Sequence, residues 1–328
     1  MPLSAANVKT LCAELLNTEV DDIEFPGGSS RDSIRVKIGA QGLIVTHRQS
    51  YQRARLESAA LRILNQCNAP VPHLIAYRDN YLIQQDVGNQ RLSQSMKAGS
   101  GEEVLALLDA ALKSLAAIHD VGKDNEALKS FVELGHKPQW LDKFVRSAER
   151  LGEQLDLPAP SLQYDKLMTM LTVVQPSFIK WDARPGNAVV RDNGSVFWID
   201  WEHCGRRHPL DDVAWLLTDE YTPFSADRES HHIGKILPAF AHGHSQPHEY
   251  LRVFGTFHSC IRLAMILRFQ ARDGWWDYDK CLRLDSVGVV QELAMRVAHR
   301  GAEWAQHSAL TKVLVPWFDA LQVRLAKL

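Results

Sequence analysis

No run of apolar residues in this chain is long enough to cross a bilayer, so a protein embedded in or anchored to a membrane is not expected. No charge of one sign dominates either: 37 Lys and Arg stand against 39 Asp and Glu. With no basic cluster beyond the pair Arg206-Arg207, which reads as ordinary surface, a nucleic-acid-binding role is not expected. Cysteine is scarce. Cys12, Cys67, Cys204, Cys260 and Cys281 are odd in number and scattered, which excludes a disulfide framework and paired-cysteine zinc sites and leaves reduced, mostly buried thiols. No internal repeat and no secretory signal is read, and a cytoplasmic protein is expected. The glycine pair Gly27-Gly28 is not followed by Gly-Lys-Ser/Thr, so there is no Walker A loop. What is present is 328 residues, 45% of them hydrophobic, enough for sizeable cores.

The most informative segment runs from Phe178 to Glu202, as Phe-Ile-Lys-Trp-Asp-Ala-Arg-Pro-Gly-Asn-Ala-Val-Val, a polar turn, then Val-Phe-Trp-Ile-Asp-Trp-Glu. Transfer of a phosphoryl group needs an oriented nucleophile and neutralised charge more than covalent chemistry, and two carboxylates with a carboxamide supply both. The spacing lets a loop turn back so that Asp182 faces an acceptor hydroxyl while Asn187 faces Mg²⁺. Asp200 ends the apolar run Val196 to Ile199, read as a short buried strand that carries a second hard oxygen donor to the same ion. Asn193-Gly194 makes the turn between two strands. Each motif alone is common by chance; their order gives them weight.

At these residues the chain resembles the aminoglycoside phosphotransferase and choline kinase-like group, a branch of the protein-kinase-like fold, over most of its length. The resemblance implies an α+β fold of two lobes, a small antiparallel sheet followed by a mainly helical part. It implies Asp182 as the catalytic carboxylate and Asn187 and Asp200 as Mg²⁺ ligands. Gly205 to Leu217, with Pro209 and Asp211-Asp212 ahead of Val-Ala-Trp-Leu-Leu, is similar to the family's next segment, although either Asp also reads as a helix N-cap. The family's His two residues before the catalytic Asp is here Lys180, read as a solvated or structural ion pair. Arg184 occupies the place of a kinase Lys that reaches the γ-phosphate, and its permanent charge suits the transferred group.

Upstream, Ser33 to Ile38 and Leu43 to Arg48 read as antiparallel strands entered by the loop at Gly27 and Gly28, where backbone N–H groups can approach phosphate. The kinase-like fold needs a strand cation for the α/β-phosphates and a helix Glu to hold it. No Lys is placed there. Arg48 serves better than His47, and Glu57, on an amphipathic helix from Arg53 to Leu64, is its natural partner; an i, i+4 pairing of Glu57 with Arg53 competes. The resemblance makes Gln85 to Val87 the hinge whose backbone contacts the adenine. Gly88 then lets the chain leave, which gives a nucleotide-binding lobe at 1–87 and a catalytic and acceptor-binding lobe at 88–328.

Leu105 to His119 reads as a helix whose final His meets the helix dipole, and Val253 to Phe269 and Val287 to Trp304 as further helices. His231, His232, His242, His244, His248 and His258 crowd together without zinc-site spacing. Trp275-Trp-Asp-Tyr-Asp279 suits a sugar or cationic acceptor, or is plain packing between helices. The expectation is an enzyme that moves the γ-phosphoryl of ATP, possibly GTP, with Mg²⁺, onto a small-molecule hydroxyl. The alternative is a kinase-like module that binds nucleotide with impaired chemistry. A protein kinase is disfavoured, since Asp-Phe-Gly and Ala-Pro-Glu are missing.

Overall fold

Alternating apolar and polar residues build the first layer. In the computed structural model, which describes residues 3–26, 28, 32–223, 226–241 and 243–328 (only the backbone at 138 and 226–231), five antiparallel strands form one sheet in the order β1-β2-β3-β5-β4. They are β1 (Asp22–Glu24), β2 (Ser33–Ile38), β3 (Gln41–His47), β4 (Leu74–Arg78) and β5 (Tyr81–Gln85). The β2–β3 register runs from Ser33 opposite Thr46 to Ile38 opposite Gln41. The period of two sends Ile34, Val36, Leu43, Val45 and Ile83 to one face, where the helix Ala5–Leu16 covers them with Val8, Leu11 and Cys12. Leu82 faces the other way, toward the helix Tyr51–Gln66 and its Ala54, Ala60, Leu61 and Leu64. Gly27 lies outside the described residues, as does His242.

Beyond the sheet the chain is mainly helical, as expected for a two-lobed α+β protein. The helix Gly101–Asp124 starts with a capping box, Ser100 and Glu103, which satisfies its first free N–H groups. The helix Pro247–Asp273 is buried at every position from Tyr250 to Cys260, because other helices surround it. It approaches the helix Gln291–Ala305 closely enough that a Cβ on Gly255 would stand 2.0 Å from the Trp304 ring, so glycine is required there.

Two short ladders lie between sheet and helices. β6 (Ser177–Ile179) pairs with β9 (Gly205–Arg207), and β7 (Ala188–Val190) pairs with β8 (Val196–Trp198). Gly194, at φ +79°, makes the turn from β7 to β8 that Asn193-Gly194 predicts. The ends of β6, β7 and β8 thereby bring Asp182, Asn187 and Asp200 to one place.

Candidate active site

The loop after β6 is strained. Trp181 and Asp182 are consecutive residues in the left-handed region, at φ 52° and 57°, a conformation that a bulky side chain adopts only when its surroundings impose it. The constraint is the buried carboxylate of Asp212, which accepts the N–H groups of Lys180 and Trp181, both at 2.8 Å. The same carboxylate meets His119 Nε2 at 2.8 Å. Two sequence expectations are thereby corrected. Asp212 does not cap a helix, since His208 Nδ1 accepts the Leu210 N–H while Asp211 pairs with Arg207. His119 is not a helix-end residue either: its helix continues to Asp124, and its ring is buried against Asp212, behind the loop that carries Asp182.

Asn187 closes the loop. Its Nδ2 donates to the Asp182 carbonyl at 3.0 Å and to Asp182 Oδ2 at 2.9 Å, which turns its Oδ1 away with no partner among the described residues. Asp200, also left-handed at φ 62°, has Oδ1 bonded to Arg48 and Oδ2 without a described hydrogen bond. A carboxamide oxygen and a carboxylate oxygen left open at one place are the donor set that suits Mg²⁺, which takes few protein ligands and completes its shell with water and phosphate. Burial would raise the Asp200 carboxyl, but Arg48 and Lys180 outweigh it and hold it down to about 2, so it is ionised at neutral pH.

Lys180 is fully buried, and it pairs with backbone rather than with a carboxylate. Its Nζ donates to the carbonyls of Asp200 at 2.9 Å and Asp182 at 3.4 Å, beneath the Trp201 ring. Burial pushes the ammonium pKa down, opposed by Asp182, Asp200 and Asp212. It ties the two left-handed residues together.

On the sheet side, Arg48 rather than His47 faces the site; the His47 ring packs against Tyr81 at 4.7 Å, tilted by 50°. Arg48 donates to both oxygens of buried Glu57, at 2.6 and 3.0 Å, to Asp200 Oδ1 at 2.7 Å and to Glu202 at 3.3 Å. Glu57 also accepts from Gln84 and the Trp201 N–H. Arg53 does not pair with Glu57; it reaches Glu202. The cleft between sheet and helices, about 450 Å³, is lined by Arg48, Glu57, Gln85, Val87, Asn187 and Asp200 among others. The Gln85 N–H is committed to the His73 carbonyl, while the Val87 N–H has no described backbone partner. Gly28, at φ +99°, gives its N–H to Phe25 in a turn and is not among the lining residues.

Arg184 is placed beside Asp182, 3.6 Å from Oδ1, with Asp285 at 3.8 Å on its other side. These two carboxylates raise its pKa against the effect of burial. Sequence reasoning missed Asp285, Glu202, Asp212 and His119. Glu202 could be found from its place two residues after Asp200 and Asp212 from the segment Gly205 to Leu217, whereas nothing local marks the role of Asp285 or His119.

An antiparallel sheet flanked by an Arg–Glu pair between the end of β3 and the following helix, set over a strained Asp loop with Asn and Asp at the ends of two paired strands, defines a protein-kinase-like phosphotransferase. Residues 22–244 match the model of APH, the phosphotransferase enzyme family, and the chain belongs to that family. No curated protein matches the chain in sequence. Solved structures similar to it include the choline kinase LicA from Streptococcus pneumoniae, 16% identical, with 88% of this chain and 98% of that one covered at a TM-score of 0.51. The aminoglycoside phosphotransferase APH(2″)-IIa is 17% identical, with 90% and 99% covered and a TM-score of 0.54. Aminoglycoside 2′-phosphotransferase-IIIa is 16% identical, with 89% and 99% covered and a TM-score of 0.57. At these identities the likeness is one of fold.

Proposed function

We propose that the protein transfers the γ-phosphoryl group of ATP, or of GTP, to a hydroxyl of a small molecule. The observation that carries this reading is the arrangement of Asn187, whose carboxamide binds Asp182 through nitrogen and leaves its oxygen without a described partner in a cleft that Asp200 also lines. Known members of the fold agree in chemistry: LicA was solved with AMP, APH(2″)-IIa with streptomycin and ATP, and the 2′-phosphotransferase-IIIa with GDP. Asp182 orients the acceptor hydroxyl and takes its proton. Asn187 and Asp200 would hold Mg²⁺, whose contribution is to neutralise phosphate charge. Arg48, steadied by Glu57, receives the α- and β-phosphates, and Arg184 sets the orientation of Asp182 and steadies the transferred group. The Val87 N–H, which has no described backbone partner, takes the base beside Gln85, and the lobes divide after Val87.

Asp182→Ala tests the mechanism. Turnover in a hydroxyl-acceptor screen is expected to fall by about 10²- to 10⁴-fold, with nucleotide affinity retained. Asp200→Ala is expected to abolish the Mg²⁺-dependent part of the rise in melting temperature with ATP or GTP, while wild type with saturating ligand gains roughly 3 kcal/mol at 100 Kd. Undiminished turnover in Asp182→Ala sinks the mechanism; nucleotide binding indifferent to Mg²⁺ in wild type turns the reading toward a nucleotide-binding module.

A further inference from the structure

Among its described lining residues the cleft carries six carboxylates and four guanidinium groups. A nucleoside triphosphate adds negative charge, so a cation not already shared with carboxylates adds to what Arg48 can offer its phosphates. Arg35 is bonded to Asp86 at 2.6 Å and Glu24 at 3.3 Å. Arg48 is shared among Glu57, Asp200 and Glu202. Arg91 is engaged as well. Arg283 remains: exposed, lining the cleft, and without an ion pair or hydrogen bond to another described residue.

Its position is built rather than incidental. It ends the helix Tyr278–Arg283, which Asp277 caps through the Lys280 N–H at 2.8 Å. Lys97, on the helix Leu92–Ala98 after the hinge, pairs with Asp279 and stands 4.2 Å over the Tyr278 ring. On the far side, Tyr221 donates to the Ser286 carbonyl at 2.9 Å and the Gly288 N–H donates to Glu220 at 2.9 Å. Between these anchors Asp285 lies against the catalytic loop, where its Oδ1 would stand 2.1 Å from a Cβ on Gly186. Arg283 is therefore held at the cleft, two residues from the contact beside Asn187, by a segment pinned at both ends.

We propose that Arg283 is a phosphate-binding residue, a cation that the carboxy-terminal half contributes, in addition to Arg184, to the triphosphate of the bound nucleotide. This rests on the phosphotransfer reading above. A guanidinium offers a planar pair of donors that matches phosphate oxygens, and one with no partner gives up no bond to make these.

The test is calorimetry on wild type, Arg283→Gln and Arg283→Lys with three ligands: the nucleoside, the diphosphate and a non-hydrolysable triphosphate analogue with Mg²⁺, in whichever base series wild type binds. Arg283→Gln is expected to weaken the triphosphate analogue about ten- to a hundredfold, the usual size of a lost charge-assisted bond. The nucleoside is expected to be unaffected and Arg283→Lys to recover part of the loss. Because Arg283 is exposed and makes no bond to another described residue, the ligand-free melting temperature is expected to stay the same. Equal affinity of wild type and Arg283→Gln for the triphosphate, or equal losses for nucleoside and triphosphate, overturns the assignment. Failure of wild type to bind any of the ligands overturns the phosphotransfer reading instead, and the inference with it.

Discussion

Two residues carry much of the site's geometry without facing the acceptor. Asp212 is fully buried and accepts the N–H groups of Lys180 and Trp181 together with the His119 ring. Three donors on one carboxylate offset the strain of consecutive left-handed residues, which costs of order 1–2 kcal/mol each. Lys180 acts from the opposite side, on the carbonyls of Asp182 and Asp200. Burying an ammonium is costly, so its removal has compensating effects on stability: two carbonyls lose a donor while a charge leaves the interior. Lys180→Met, an unbranched side chain one atom shorter and without charge, is therefore expected to change unfolding free energy by no more than about 2 kcal/mol. Turnover is expected to fall at least about tenfold, since a displacement of 1 Å at the reacting groups costs about that or more. Denaturant unfolding and kcat on the same preparation check this; a large loss of stability with kcat unchanged would show that Lys180 serves the fold and not the reaction.

At the scale of elements, the segment around the helix Tyr278–Arg283 is what makes the cleft a three-sided one. Gly186 is the point where it meets the catalytic loop, and Asp285 leaves no room for a side chain there. Gly186→Ala is expected to push Asp285 off the loop, with a loss of about 1–3 kcal/mol from overpacking and a fall in kcat, both measured against wild type; unchanged values would mean that this contact is loose. The same contact explains what could be read from the chain and what could not. Asp182, Asn187 and Asp200 lie within nineteen positions and are joined by β7, an Asn-Gly turn and β8, so local rules of spacing and turn chemistry place them together. The sheet is legible for the same reason, as alternation over Ser33–Ile38 and Gln41–His47 records which face is buried. Asp285 and Arg283 come from about a hundred residues downstream, and Asp212 and His119 act across the core. Their roles depend on long-range packing, which no periodicity or spacing records. Lys180 looked like a candidate for an ordinary ion pair because sequence shows charges but not the backbone carbonyls that a left-handed turn exposes.

Across the whole molecule, two groups of buried charges, besides the Arg207–Asp211 pair, cross between elements. Arg48 on the sheet side joins Glu57 to Asp200 and Glu202 of the helical part, which couples the two halves through the carboxylate proposed to hold Mg²⁺. Deeper in the helical part, Asp219 and Glu220 meet Arg262, with Arg184 and Arg300 close by. Glu220 takes both donors of Arg262, at 2.6 and 2.9 Å, and is held below the usual carboxylate range. Asp219 is left 3.7 Å away, and burial and the Glu220 charge push it up to about 7. In the unfolded chain an Asp titrates near 4, so between pH ~4 and ~7 the folded state holds a proton that the unfolded state has released. Stability therefore falls as pH rises through that window, and above it the full cost of an ionised Asp219 remains. Buried histidines such as His258, whose pKa is held well below normal by burial and by Arg262, act in the opposite sense. The contribution of Asp219 is accordingly isolated as a difference between variant and wild type. Asp219→Asn carries no titrating group, so its stability relative to wild type is expected to increase from pH 5 to pH 8 by up to about 3 kcal/mol. Urea unfolding at unit pH intervals measures it, and a difference that stays constant with pH would mean that Asp219 is ionised throughout and that Arg262 neutralises it as fully as it does Glu220.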